Sequence, residues 1–123
     1  MSEQTGATNS QAASQGERQI AQTSRGPVEY QIVGEGPYVL HSHGTPSDCT
    51  PGFLQQWLAD AGLGVISISR PGYGATPLST GPSFAEQADA IAALLDHLSI
   101  DGVAIYGVSG GGPTSIEFAA RHP

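Results

Sequence analysis

The apolar run Val103-Ala104-Ile105-Tyr106 passes directly into Gly107-Val108-Ser109-Gly110-Gly111, and helical spacing follows in Ile116, Phe118, Ala119 and Ala120. An unbroken apolar run of this length suits a strand buried on both faces. A strand that turns straight into a helix belongs to a sheet of parallel strands joined by helices. This junction restricts the chain to an α/β architecture, and the preceding sequence supplies the other elements.

Val28, Tyr30 and Ile32 alternate with polar residues, as in a half-buried strand. Gly34-Glu35-Gly36-Pro37 has turn chemistry, so a second strand, Tyr38 to Ser42, is expected to return beside the first as a hairpin. Thr50-Pro51 has the form of a helix N-cap followed by proline at the first helical position. Phe53, Leu54, Trp57, Leu58 and Ala61 then repeat at helical spacing up to Gly62. Val65, Ile66 and Ile68 form the next strand, with Arg70-Pro71-Gly72-Tyr73-Gly74 as the loop after it. Ser83 and Glu86 have capping-box spacing ahead of a helix whose apolar face is Phe84, Ala88, Ile91, Leu95 and Leu98. The expected domain, residues 26–123, is a mostly parallel sheet with flanking helices, a three-layer αβα core. Residues 1–25 hold Met1 and Ile20 as their only large apolar side chains and are expected to be a disordered tail.

Composition narrows the chemistry. Eleven acidic and four basic side chains leave a net charge of −7, so neither nucleic acid nor an anionic membrane is an expected partner. No lysine is present, which excludes a Walker A loop and a Schiff-base lysine. Cys49 stands alone, so neither an intrachain disulfide nor a multi-cysteine zinc module can form. The longest apolar run, Ile91 to Leu95, is far short of the roughly 20 residues of a membrane span. With no secretory pattern at the N-terminus, a cytoplasmic location is expected.

Ligand groups in parallel sheets gather where strands end and helices begin. Two motifs lie there. In the G-x-S-x-G at 107–111, Gly107 and Gly111 allow a sharp turn that lifts the Ser109 hydroxyl clear of the sheet, at the positive end of a helix. His43-Gly44-Thr45-Pro46 follows the second strand, so the backbone N–H groups of Thr45 and Gly110 are suited to hold one oxyanion between them. A nucleotide-binding loop fits less well, because Ser109 stands where G-x-G-x-x-G needs its middle glycine. His41 and His43 share a strand face, but no further ligand accompanies them; neither a metal nor a cofactor is expected.

Together, the His43–Pro46 loop, the Arg70–Gly74 loop and the serine turn with its continuation Pro113-Thr114-Ser115-Ile116-Glu117-Phe118 resemble the N-terminal part of the α/β-hydrolase superfamily, over Val28 to Pro123. The resemblance implies a truncated α/β-hydrolase core with Ser109 as nucleophile, Thr45 and Gly110 as oxyanion donors, and His43, Gly44, Gly107 and Gly111 in support. It implies a small-molecule ester, amide or related acyl substrate. It points to the serine branch rather than to epoxide hydrolases and dehalogenases, whose nucleophile is aspartate. By the same resemblance the Arg70–Gly74 loop is mainly structural.

The superfamily's mechanism takes an acid and then a histidine after the serine. Fourteen residues follow Ser109, with Glu117 and His122 in the required order. His122 falls about 20 Å along the helix from the serine, whereas a base works from about 3 Å. The expectation is a chain with a nucleophile and oxyanion donors but no triad acid or base, inactive alone. His43 backed by Asp48 is a second arrangement for a base, and a non-catalytic binding or assembly module that keeps the elbow is the alternative reading. Val103 to Tyr106, as an uncharged sheet edge, is an expected route to self-association.

Overall fold

The computed structural model describes residues 16–123. Five strands form one sheet: β1 Gln19–Thr23, β2 Gly26–Val33, β3 Tyr38–Ser42, β4 Gly64–Ile68 and β5 Ala104–Gly107. Their spatial order is β1-β2-β4-β3-β5. The β1–β2 and β2–β4 pairs are antiparallel; β4–β3 and β3–β5 are parallel. Among the described residues three α-helices, α1 Phe53–Asp60, α2 Phe84–His97 and α3 Gly112–Arg121, connect and follow them. None is long and apolar enough to cross a membrane.

The sheet is mixed, with β3, β4 and β5 parallel and β1 and β2 joined antiparallel at one side, and the expected β2–β3 hairpin does not form. β4 lies between β2 and β3. The Gly64 N–H donates to Pro37 O (3.1 Å), which stitches the glycine turn to the start of β4 and delivers β3 to its far side. The expected tail also extends too far toward the domain. Gln19–Thr23 pairs with Gly26–Tyr30, and Arg18 binds Glu29 (3.2 Å) and Asp48 (3.0 Å). A strand at a sheet edge needs little apolar content, and Ala21 alone enters the core from this one. Residues 1–15 of the tail lie outside the described residues.

Val28, Tyr30 and Ile32 of β2, Leu40 of β3, and Ile66 and Ile68 of β4 pack against Ala88, Ile91, Leu94 and Leu95 of α2 and Phe118 of α3. On the other face α1 is tied down where Gln55 Nε2 donates to Tyr106 Oη (2.8 Å). Strand β2 is not half-buried: Glu29 and Gln31, on its second face, are buried as well. Glu29 accepts hydrogen bonds from Ser69 Oγ (2.7 Å) and the Ala75 N–H (3.0 Å). Burial opposes its ionisation, but the bonds from Ala75, Ser69 and Arg18 outweigh that and hold the carboxyl below its usual range.

The helix ends show which local signals hold. Ser83 and Glu86 form the expected capping box, with Glu86 N–H to Ser83 Oγ at 3.1 Å and Ser83 N–H to Glu86 Oε1 at 3.2 Å. Thr50 does not cap α1, which begins at Phe53 after Gly52. The Thr50 hydroxyl instead accepts from Arg18 Nη2 (2.6 Å). On α3 the buried residues are Thr114 and Phe118, while Ile116 is 72% exposed. A buried hydrogen bond from Thr114 Oγ1 to Gln87 Oε1 (2.6 Å) sets that rotation. Among the described residues strand β5 is an outer strand, at the sheet edge expected for Val103 to Tyr106 rather than buried on both faces, with Ala104 and Gly107 exposed.

Candidate active site

Strands β3, β4 and β5 run parallel, so the loops after them leave the sheet along one end. β3 lies between the other two, and the chain moves to one side of it for β4 and to the other for β5. That reversal is where a parallel sheet opens a crevice.

Ser109 stands there with φ +49, a left-handed conformation uncommon for a residue with a side chain. Strain of this kind costs about 1–3 kcal/mol and persists only where the surroundings impose it. Here the Val108 N–H donates to Ser42 O (3.0 Å) and the Gly111 N–H donates to Val108 O (2.8 Å). A Cβ on Gly111 would collide with the carbonyl oxygens of Ser42 and His43, and one on Gly107 with the carbonyl of Gly111. Both glycines of the motif are therefore required by contact. Ser109 Oγ has no hydrogen-bond partner among the described residues.

The loop after β3 lies against this turn. A Cβ built on Gly44 would stand 3.6 Å from Ser109 Cβ, and one on Gly110 would stand 3.4 Å from Thr45 N. Thr45, Ser109 and Gly110, chosen from sequence as one constellation, are thus neighbours. His43 holds the loop from beneath, 1% exposed. The Arg70 N–H donates to His43 Nε2 (2.9 Å), and His43 Nδ1 bonds Gly44 O (2.6 Å). An amide N–H only donates and a carbonyl only accepts, so the ring is neutral with its proton on Nδ1. Burial and then the Arg70 charge lower its pKa, against the Gly44 bond and the Asp48 charge.

Both His43 nitrogens are engaged, and the His43–Asp48 arrangement for a base does not form. Asp48 instead pairs with Arg18 and accepts the Thr50 N–H (2.8 Å). His122 binds Asp89 Oδ1 (2.9 Å) from beyond the last residue of α3. His41 is buried with its ring 5.0 Å from Tyr106; burial, then the neighbouring His43, drop its pKa to about 4. None of the three bonds Ser109.

Arg70 and Tyr73 brace the loop after β3. Arg70 Nε donates to His43 O (3.0 Å) and Nη2 to Thr45 Oγ1 (2.8 Å); the Tyr73 hydroxyl also reaches Thr45 Oγ1 (3.3 Å). The guanidinium lies over the Tyr73 ring at 4.9 Å. The available sequence signal was an arginine at a strand's C-terminal end in a chain with four cations. An open cleft of about 650 Å³ joins the pieces, lined by Thr45, Arg70, Tyr73, Phe84 and Ser109 among others. Phe84, expected on the buried face of α2, is 48% exposed at its rim.

Over residues 39–123 the sequence matches the α/β hydrolase fold family. The chain belongs to that family. An uncharacterized hydrolase of Bacillus subtilis, YcgS, is 40% identical over 98 residues, covering 80% of this chain and 34% of that protein. An α/β hydrolase fold protein from Nakamurella multipartita superposes with a TM-score of 0.84 at 44% identity, over 87% of this chain and 37% of the other. An esterase from Exiguobacterium antarcticum superposes with a TM-score of 0.71 at 23% identity, over 84% and 40% of the two chains, a likeness of fold alone. The chain spans about a third of the length of the first two relatives.

Proposed function

We propose that this chain furnishes the nucleophile and oxyanion donors of a serine-type α/β hydrolase acting on a small-molecule ester, amide or related acyl substrate. The observation that carries the reading is Ser109 at φ +49 between β5 and α3, with Thr45 and Gly110 beside it at one cleft. Family membership and the hydrolase among its relatives support the same class of activity.

In this reading Ser109 Oγ attacks the acyl carbon, and the carbonyl electron pair moves onto oxygen. The Thr45 and Gly110 N–H groups hold that oxyanion, in a turn already oriented for it. Its collapse expels the leaving group and leaves an acyl-serine, which water then hydrolyses. The serine proton needs an acceptor. His41, His43 and His122 are engaged or buried elsewhere and His97 ends α2, whose opposite end, Phe84, lines the cleft, so the reading takes the base and its acid from outside residues 16–123. The test is labelling of the intact protein with an alkyl fluorophosphonate, followed by peptide mapping and ester hydrolysis. The label is expected on Ser109, and Ser109→Ala is expected to lose at least about 10³ in turnover, up to about 10⁶. Label on another residue, or undiminished hydrolysis by Ser109→Ala, overturns the reading.

A further inference from the structure

Arg70 is 3% exposed, yet it has no carboxylate partner among the described residues. The ion pairs found there use Arg18, Arg121 and His122. A buried charge without a counter-ion is expensive, and buried charges are ordinarily paired. The hydrogen bonds of Arg70 show what is left over. One edge of its fork is occupied, Nε by His43 O and Nη2 by Thr45 Oγ1. Of five guanidinium N–H groups, two on Nη1 and one on Nη2 remain, and one from each nitrogen forms the end-on edge that matches a carboxylate bidentately. Nη1 is not sealed either, since the enclosed side-chain atoms without partners are His41 Nδ1, Ser42 Oγ and Ser67 Oγ. Arg70 itself lines the cleft with Ser109.

The cleft has no acid of its own. Its lining from Thr45 to Pro113 contains no aspartate or glutamate, in a chain of net charge −7. A single local cation is then the feature that lets an anion approach.

We propose that Arg70 recognises an anionic group of the substrate, and that this cleft takes acyl compounds bearing a carboxylate a few bonds from the reacting carbonyl. The short separation follows because Arg70 grips Thr45 Oγ1 while the Thr45 N–H is the assigned oxyanion donor. The acyl part of this proposal rests on the hydrolase reading above; the carboxylate part does not.

The test uses monomethyl glutarate, an ester with a carboxylate at its other end, and neutral dimethyl glutarate. Both are titrated by NMR into the intact protein carrying Ser109→Ala, so that no turnover intervenes. The monoanion is expected to bind at least about tenfold tighter, as for a charge-assisted pair, and added salt is expected to narrow the gap. Adding Arg70→Gln should abolish the preference, and Arg70→Lys should keep part of it without bidentate geometry. Equal binding of the two probes overturns the proposal, as does a tenfold preference that survives Arg70→Gln in a protein with native amide dispersion. Should Arg70→Gln not fold, the two probes on the Arg70 protein and on Arg70→Lys still decide. Anion preference together with fluorophosphonate labelling away from Ser109 sinks the nucleophile assignment alone and leaves Arg70's role standing.

Discussion

Gly111 has no room for a side chain, and this single restriction shapes the serine turn. Its Cα faces the Ser42 and His43 carbonyls at the end of β3, and no flexible side chain is there to yield. Gly111→Ala is therefore expected to push the turn away from β3, costing about 3 kcal/mol or more, in the range of severe backbone and packing lesions. Urea denaturation measures the loss, and fluorophosphonate labelling should fall with it. An alanine variant of unchanged midpoint would show that the turn accommodates a Cβ by shifting. His43 carries the complementary lesson: an imidazole beside a serine is not thereby its base. The proton on Nδ1 is fixed by Gly44 O and the lone pair of Nε2 by the Arg70 N–H, so the ring acts as a rigid link between two loops.

At the scale of elements, the features legible in sequence were those decided within a few residues. The Ser83–Glu86 box depends on neighbours three apart and forms as read. Ser83→Ala is expected to cost about 1 kcal/mol, visible as a lower urea midpoint with an unchanged slope. The strand-to-helix serine turn was legible for the same reason, since its glycine spacing states its own geometry. What escaped was set by distant partners. The Gly34–Pro37 turn carries good hairpin chemistry, but insertion of β4 decides where β3 lands, and β4 begins 26 residues after Tyr38. The rotation of α3 follows from Thr114 meeting Gln87 on α2, which no periodicity within α3 reports. Strand β1 was missed because Gln19, Ala21 and Gln22 are not strand-like in composition; pairing with β2 and the Arg18 ion pairs stabilise it from outside. Within the candidate site, the closeness of Ser109, Thr45 and Gly110 was legible from backbone motifs. The burial of Arg70 without a carboxylate partner among the described residues was not, because it is decided in three dimensions.

For the whole molecule, the acid limb of stability follows from two kinds of group. His41 titrates near 4 in the folded chain against 6.5 ordinarily, so between those values the unfolded chain binds the extra proton. Stability is therefore expected to be full above about pH 6.5 and to fall, by up to about 3 kcal/mol, as pH drops toward 4. Asp48 and Asp89 act lower. Hydrogen bonds from Thr50 hold Asp48, and those from Arg121 and His122 hold Asp89, each at a pKa of about 2. Their contribution is present above their unfolded values and is lost as pH falls toward 2. Denaturation midpoints at pH 7 and pH 5 test the first limb: His41→Phe, which keeps a ring against Tyr106, is expected to reduce the difference, leaving the share of His43, whose pKa burial also lowers. An unchanged difference in that variant would assign the limb to another group.

The order of strands also times the assembly of the site. Thr45 and Ser109 meet only when β5, the last of the described strands, pairs with β3, which precedes it by more than sixty residues. Every earlier strand can be in place while the serine turn is still unformed. Under the nucleophile reading, a nascent chain stays chemically silent at this site until β5 docks, and labelling of Ser109 is expected to time the pairing of β5 with β3 rather than the collapse of the core.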